Sequence, residues 1–255
     1  EMLRSLVGSE MCIRDRSERL GYAINEFWMH APGITPDKLS KIFHSRGIRG
    51  GIVLGHSFGN EFPKGYEKIW HDFYFVSAGI RTYNASLEVV ASDDFLISYN
   101  SYIEVYNMGF KNIGIVVEES TDDLVGGTLI GGFLRAQMKR NPPYICPPFI
   151  ENEDSSSFKK NLGKWIEANK PDAILYLLDS TREILNGIEN LGNTRLFQLE
   201  KRGYVKNWVG MEQNNDIVGR VAVRRLADML NRVSAVAGEN SNMITLVRPT
   251  WISGE

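Results

Sequence analysis

The sequence predicts an α/β fold built on parallel sheets, and three observations carry that prediction. Residues 89–117 run from a β-branched stretch to a polar turn at Ser92, Asp93 and Asp94. A helix follows, with Phe95, Tyr99, Tyr102 and Tyr106 at helical spacing, then a stop at Gly109 and a second apolar run at 113–117. Strand, turn, helix, stop and strand make one βαβ unit, and such units build parallel sheets with sites at the strand ends. The same alternation recurs on both sides of this unit. Composition agrees: 255 residues that are 43% hydrophobic and 24% charged are enough for one large core or two small ones.

Other classes lack a signal. A net charge of −2 gives no electrostatic footprint for nucleic acid, and Lys159-Lys160 and Arg224-Arg225 read as solvated pairs. No apolar run approaches the roughly 20 residues of a membrane-spanning helix. Two cysteines, Cys12 and Cys146, are too few for a disulfide framework or a Cys-rich metal site. A reducing, cytoplasmic setting is the default, with no cofactor or metal expected.

Taken in order, residues 1–16 show no clean period and no processing signal. They resemble a translated sequencing-adapter run and are set aside as a non-native leader, with an ordinary surface helix as the alternative. Residues 17–21 end a helix at a glycine, and 22–29 should be a strand. Thr35 before Pro36 is a helix start with proline at the first helical position, and Leu39, Ile42 and Phe43 supply its apolar face. Arg46-Gly47 closes it. Buried strands follow at 51–54 and 73–76. Beyond the central unit come a helix at 129–138, a proline-bracketed extended connection around Cys146, and a polar loop at 151–157. The helix at 158–168 contains Trp165, which reads first as packing and second as a stacking platform. A strand at 174–178, a helix at 182–192 and a strand at 196–199 continue the alternation. Asp216 reads as the N-cap of a helix with Ile217, Val218, Val221, Ala222 and Leu226 on its buried stripe.

Gly55-His56-Ser57-Phe58-Gly59 fits G-x-S-x-G, the nucleophile elbow of α/β-hydrolases, and it follows a strand. Two features oppose that reading. Pro63 falls where the elbow's helix needs an interior N–H, at about 3 kcal/mol. The catalytic His should lie far downstream of the serine, yet no histidine follows His71. Without a base the serine is a weak nucleophile, so no enzyme is expected. Gly126-Gly127 and Gly131-Gly132 lack the G-K-[ST] of a Walker loop.

Several segments together resemble the lactose-repressor/galactose-repressor (LacI/GalR) regulators. These are the strand ending at Asp93 with Gly109 sixteen residues later, and Gly132, Phe133 and Ala136. Pro171-Asp172-Ala173 with Asp179, Gln213 with Gly219, Ala222 and Val223, and the closing Leu246-Val247-Arg248 complete the set. Phe110, Leu129 and Leu178 depart from the pattern, replacing the family's His, effector-binding Arg and Asn. The resemblance implies two α/β lobes of periplasmic-binding-protein type with a small-molecule effector between them, 17–109 plus 213–240 and 110–212 plus 241–255, in a cytoplasmic homodimer. It implies that the first lobe lacks its first strand, leaving an open groove, and that DNA is met only through a helix-turn-helix absent from this chain. A transporter's solute receptor shares the fold and stays open as an alternative. The implied effector contacts are His56, Ser57, Arg81, Asp93, Asp179, Glu200 and Asn215. Asp93 and Asp179 read equally well as helix caps, and Arg81 as a surface charge. With Leu129 and Leu178 in place of two polar contacts, the effector is expected to be less polar than a hexose, or positively charged, or a sugar stacked on an aromatic such as Trp165.

Overall fold

A computed structural model describes residues 7–29, 31–54, 60–79, 81–83, 85, 87–151, 157–200, 208–231 and 243–253. The chain divides into two compact units, Glu1–Ser92 with Asn214–Val247 and Asp93–Gln213 with Arg248–Glu255.

The first unit contains α1 (Val7–Arg19), α2 (Pro36–Ser45), β1 (Gly50–Leu54), α3 (Glu67–Asp72), β2 (Tyr74–Ala78) and β3 (Glu88–Ser92). The strands pair in parallel in the order β1-β2-β3, and a late strand, Ile244–Val247, adds beside β3. Side chains alternate across the sheet as a pleat requires. Val53, Phe73 and Phe75 face Leu39, Phe43, Ile69 and Trp70. Ile52, Leu54, Val76 and Val90 face Val218, Ala222 and Met229 of the long helix Asn215–Asn231. The Thr35 hydroxyl accepts from the Lys38 N–H at 3.3 Å, capping α2 ahead of Pro36.

The second unit contains α4 (Asp94–Asn107), β4 (Ile113–Glu118), α5 (Glu119–Leu124), α6 (Thr128–Arg140), β5 (Phe149–Glu151) and α7 (Phe158–Asn169). It continues with β6 (Ala173–Tyr176), α8 (Asp179–Asn186), β7 (Arg195–Gln198) and β8 (Gly210–Glu212). After α9 (Asn215–Asn231) and β9 (Ile244–Val247) of the first unit, β10 (Thr250–Ile252) returns to it. The sheet order is β10-β8-β7-β6-β4-β5, parallel except for β10. One face packs Ile113, Ile115, Val117 and Leu175 against α4 and α6, and the other packs Val116, Ile174 and Tyr176 against α7 and α8. Gly132 lets α4 and α6 touch, since a Cβ there would collide with the Phe95 carbonyl and the Ser98 hydroxyl. Asp172 has a structural role: its carboxylate accepts from the Lys111 and Asn112 N–H groups at 2.8 and 3.0 Å, pinning the start of β4 to that of β6.

Several expectations are corrected. Residues 22–29 contain no strand. They line a cavity of about 570 Å³ together with β1 and pair with no strand among the described residues. The helix expected in the first unit is α4 of the second. Its face of Ile97, Tyr102 and Val105 packs on Phe133 and Ala136, which moves the division from Gly109 to Ser92–Asp93. β9 joins the first sheet instead of the second. Residues 7–16 of the expected leader and the three residues after them form α1, which lies along α9 with Ile13 and Ser17 buried. The helix expected at 182–192 starts at Asp179 and ends at Asn186. Asp216 lies inside α9, where it pairs with Arg220 at 2.8 Å; the Asn214 carbonyl takes the first helical N–H bonds. Arg225 is no solvated charge: its guanidinium grips Glu88 in two hydrogen bonds of 2.8 and 2.9 Å, with Glu88 only 2% exposed. That grip raises the Arg225 pKa further.

Candidate functional site

The residues that stand out for binding lie at the carboxyl ends of the second sheet. Its parallel strands end on Glu212 (β8), Glu200 (two residues past β7), Asp179 (three past β6), Glu118 (β4) and Glu151 (β5). In sheet order, these acids follow neighbouring parallel strands, whose backbones lie roughly 4.8 Å apart. Glu118 and Glu151 are register partners. Burial first, and Glu118 second, push the Glu151 carboxyl up to about 7. The Thr181 hydroxyl donates to Glu118 at 2.7 Å, and Gln198 Nε2 donates to Asp179 at 2.8 Å. Glu200 is buried. Among the described residues no three His, Cys, Asp or Glu side chains converge as a metal site.

Of the sequence-level candidates, Asp179 and Glu200 belong to this row. The Asp179 side chain is held by Gln198, and Leu178 occupies the N-cap position of α8. Asp93 caps α4, its carboxylate accepting from the Leu96 N–H at 3.1 Å. Arg81 and Asn215 are in the first unit. Arg81 accepts a bond from Asn60 on its carbonyl at 3.0 Å, and its Nε is buried without a hydrogen-bond partner. Asn215 opens α9. His56 and Ser57, and with them the G-x-S-x-G stretch, lie outside the described residues. Sequence reasoning passed over Glu118 and Glu151, and Glu212 as well. The first was open to view as the acid closing the apolar run 113–117; the second becomes visible only through the β4–β5 register.

The two departures from the regulator pattern have a structural outcome. Leu129 is 1% exposed within the core formed by α4, α6 and the sheet, and Leu178 packs against that same core. Apolar packing thus occupies both positions. Trp165 is a packing residue: its ring lies on Gly114 and edge-on to Phe149, and its N–H donates to the Pro147 carbonyl at 3.0 Å.

No protein-family model and no curated protein matches the sequence. Solved structures do match. The transcription regulator CcpA of Lactococcus lactis superposes with a TM-score of 0.70 at 15% identity, over 98% of this chain and 93% of that one. A LacI family transcriptional regulator from Enterococcus faecium, with bound ribose, gives 0.69 at 15%, over 98% and 93%. A transcriptional regulator CelR–cellobiose complex gives 0.69 at 12%, over 97% and 78%. The chain has the periplasmic-binding-protein-like α/β fold of LacI-type transcription regulators. Among the described residues no helix is long and apolar enough to cross a membrane.

Proposed function

We propose that the chain is the effector-sensing part of a LacI-type transcriptional regulator, and that its effector is a small, sugar-like molecule carrying a positive charge. The row of carboxylates on the second sheet is the observation that carries this. Parallel sheets bind ligands at their carboxyl ends, and carboxylates accept charge-assisted hydrogen bonds from ammonium groups while also accepting from hydroxyls. Leu129 and Leu178 support the same choice, because leucine offers neither donor nor acceptor to a neutral polyol. As such a sensor the protein works in the cytoplasm as a homodimer and meets DNA through a helix-turn-helix outside these residues. The effector acts by preferring one of two conformations, and it shifts the equilibrium only by that preference.

Titration calorimetry of the chain against glucosamine, glucose and ribose tests the reading. Binding of glucosamine at least tenfold tighter than glucose is expected. Equal or tighter binding of the neutral sugars would overturn the choice of effector, and binding of none of a panel of sugars and amines would overturn the sensor itself.

A further inference from the structure

Two of the strand-end acids are held by neutral donors. Glu118 closes β4, and the Thr181 hydroxyl donates to its Oε1 at 2.7 Å. Asp179 opens α8, and Gln198, the last residue of β7, donates to its Oδ1 at 2.8 Å. β4 and β7 are the two neighbours of β6 in the sheet, and α8 follows β6. The first turn of α8 is therefore tied to the strand on either side of β6. Both donors are buried, Thr181 at 2% exposed and Gln198 at 4%, whereas Glu118 is half-buried and Asp179 is exposed. Burying a hydroxyl or an amide costs free energy unless a bond offsets it, and packing alone would be served by valine and methionine. Here both groups direct a bond to a carboxylate; the second amide hydrogen of Gln198 goes to the Leu177 carbonyl at 3.3 Å. Each bond takes up one oxygen and leaves the other open. Asp179 Oδ2 makes no hydrogen bond among the described residues, and Glu118 Oε2 meets the Thr121 hydroxyl only at 3.5 Å, beyond the usual span of such a bond.

We propose, on the reading of the second sheet as the effector site, that Thr181 and Gln198 are its positioning residues: they fix the Glu118 and Asp179 side chains so that one oxygen of each is presented to the effector. A carboxylate on a freely rotating side chain loses rotamer freedom when it binds a ligand. One already held by a buried donor has lost that freedom on folding, so more of its bond to an ammonium group appears as affinity. The choice of donor also selects by charge. A lysine or arginine in these places would neutralise the acids, whereas a hydroxyl and an amide leave each carboxylate its full negative charge. A cation therefore remains the favoured partner.

Side-chain NMR of the chain and calorimetry with glucosamine together test this. In the free chain, three-bond couplings should show a single χ1 rotamer for Glu118 and for Asp179. Thr181→Val should let Glu118 average over rotamers, and Gln198→Met should do the same for Asp179. Thr181→Ser keeps the hydroxyl and should keep Glu118 fixed. Glucosamine should bind about tenfold more weakly to Thr181→Val and to Gln198→Met, as the loss of one bond to a charged group predicts, and within about threefold of the parent to Thr181→Ser. Added to Glu118→Gln, Thr181→Val should change the affinity by less than about twofold, since it acts through that carboxylate. A threonine with a merely structural role would weaken binding equally in both backgrounds, and that result would overturn the proposal. Rotamers of the two acids that are the same in parent and variants would overturn it as well. Single rotamers in the parent that are lost in the variants, with no glucosamine bound by either, would overturn the choice of effector while supporting the positioning of the acids.

Discussion

The two sheets differ in how they treat their edges and their strand ends. The second sheet closes on edge strands of three residues each, β5 and β10, with helices packed over both faces. Short edges are a common means of blunting unpaired backbone. The first ends on the five-residue β1, which borders an open cavity. At the carboxyl ends, the second sheet carries its row of acids, while the first carries a mixture: Arg81 after β2, Asp93 after β3 and Arg248 after β9. One βαβ grammar thus yields a finished scaffold and an open one. The difference lies in which strands have neighbours, and local propensity has no part in it.

If that contrast is real, core truncations should differ sharply between the units. Phe133→Ala empties a fully buried site between α4, α6 and the sheet, and should cost about 3–5 kcal/mol in denaturant titration. Ile52→Ala, beside the cavity, should cost about 1 kcal/mol or less, because its surroundings are already open. Equal losses would break the comparison. Arg225→Ala tests the strongest tie in the first unit. It leaves the buried Glu88 carboxylate without its guanidinium, at about 3 kcal/mol, and adding Glu88→Gln should recover part of that loss.

The fold was legible where the cause is local. Thr35 with Pro36 set a helix start, and Gly109, at φ 109°, sets a stop, because a cap and a left-handed residue act within one turn. What escaped the sequence was relational. Residues 22–29 have strand composition, yet a strand exists only beside a partner. The apolar face of α4 fits either sheet until the small surface at Gly132 assigns it to α6. Arg225 seemed a surface charge because Glu88 is 137 residues away. The acidic row was half visible: Asp179 and Glu200 could be read at strand ends, whereas Glu151 needed the register with Glu118.

A smaller effect sharpens the account of the row. The Glu151 carboxyl, held up at about 7, binds its proton more tightly folded than unfolded. Stability should therefore be fullest below the ordinary glutamate range and fall as pH rises toward and past 7. Glu151→Gln removes the cost, and should stabilise the protein by about 1 kcal/mol at pH 8, after allowing for solvent screening, with no gain at pH 4. A gain of the same size at both pH values would mean that the shift has another origin.

The measurement that bears most directly on the central claim is calorimetric affinity for glucosamine in Asp179→Asn and Glu200→Gln, set beside Arg81→Leu on the first unit. Charge-assisted bonds contribute about 1.5–3 kcal/mol each, so each acidic-row variant should bind at least tenfold more weakly, in proportion to the charge removed. Arg81→Leu should stay within a few-fold of the parent. Unchanged affinity in both acidic-row variants, together with a collapse in Arg81→Leu, would place recognition on the first sheet and contradict the account.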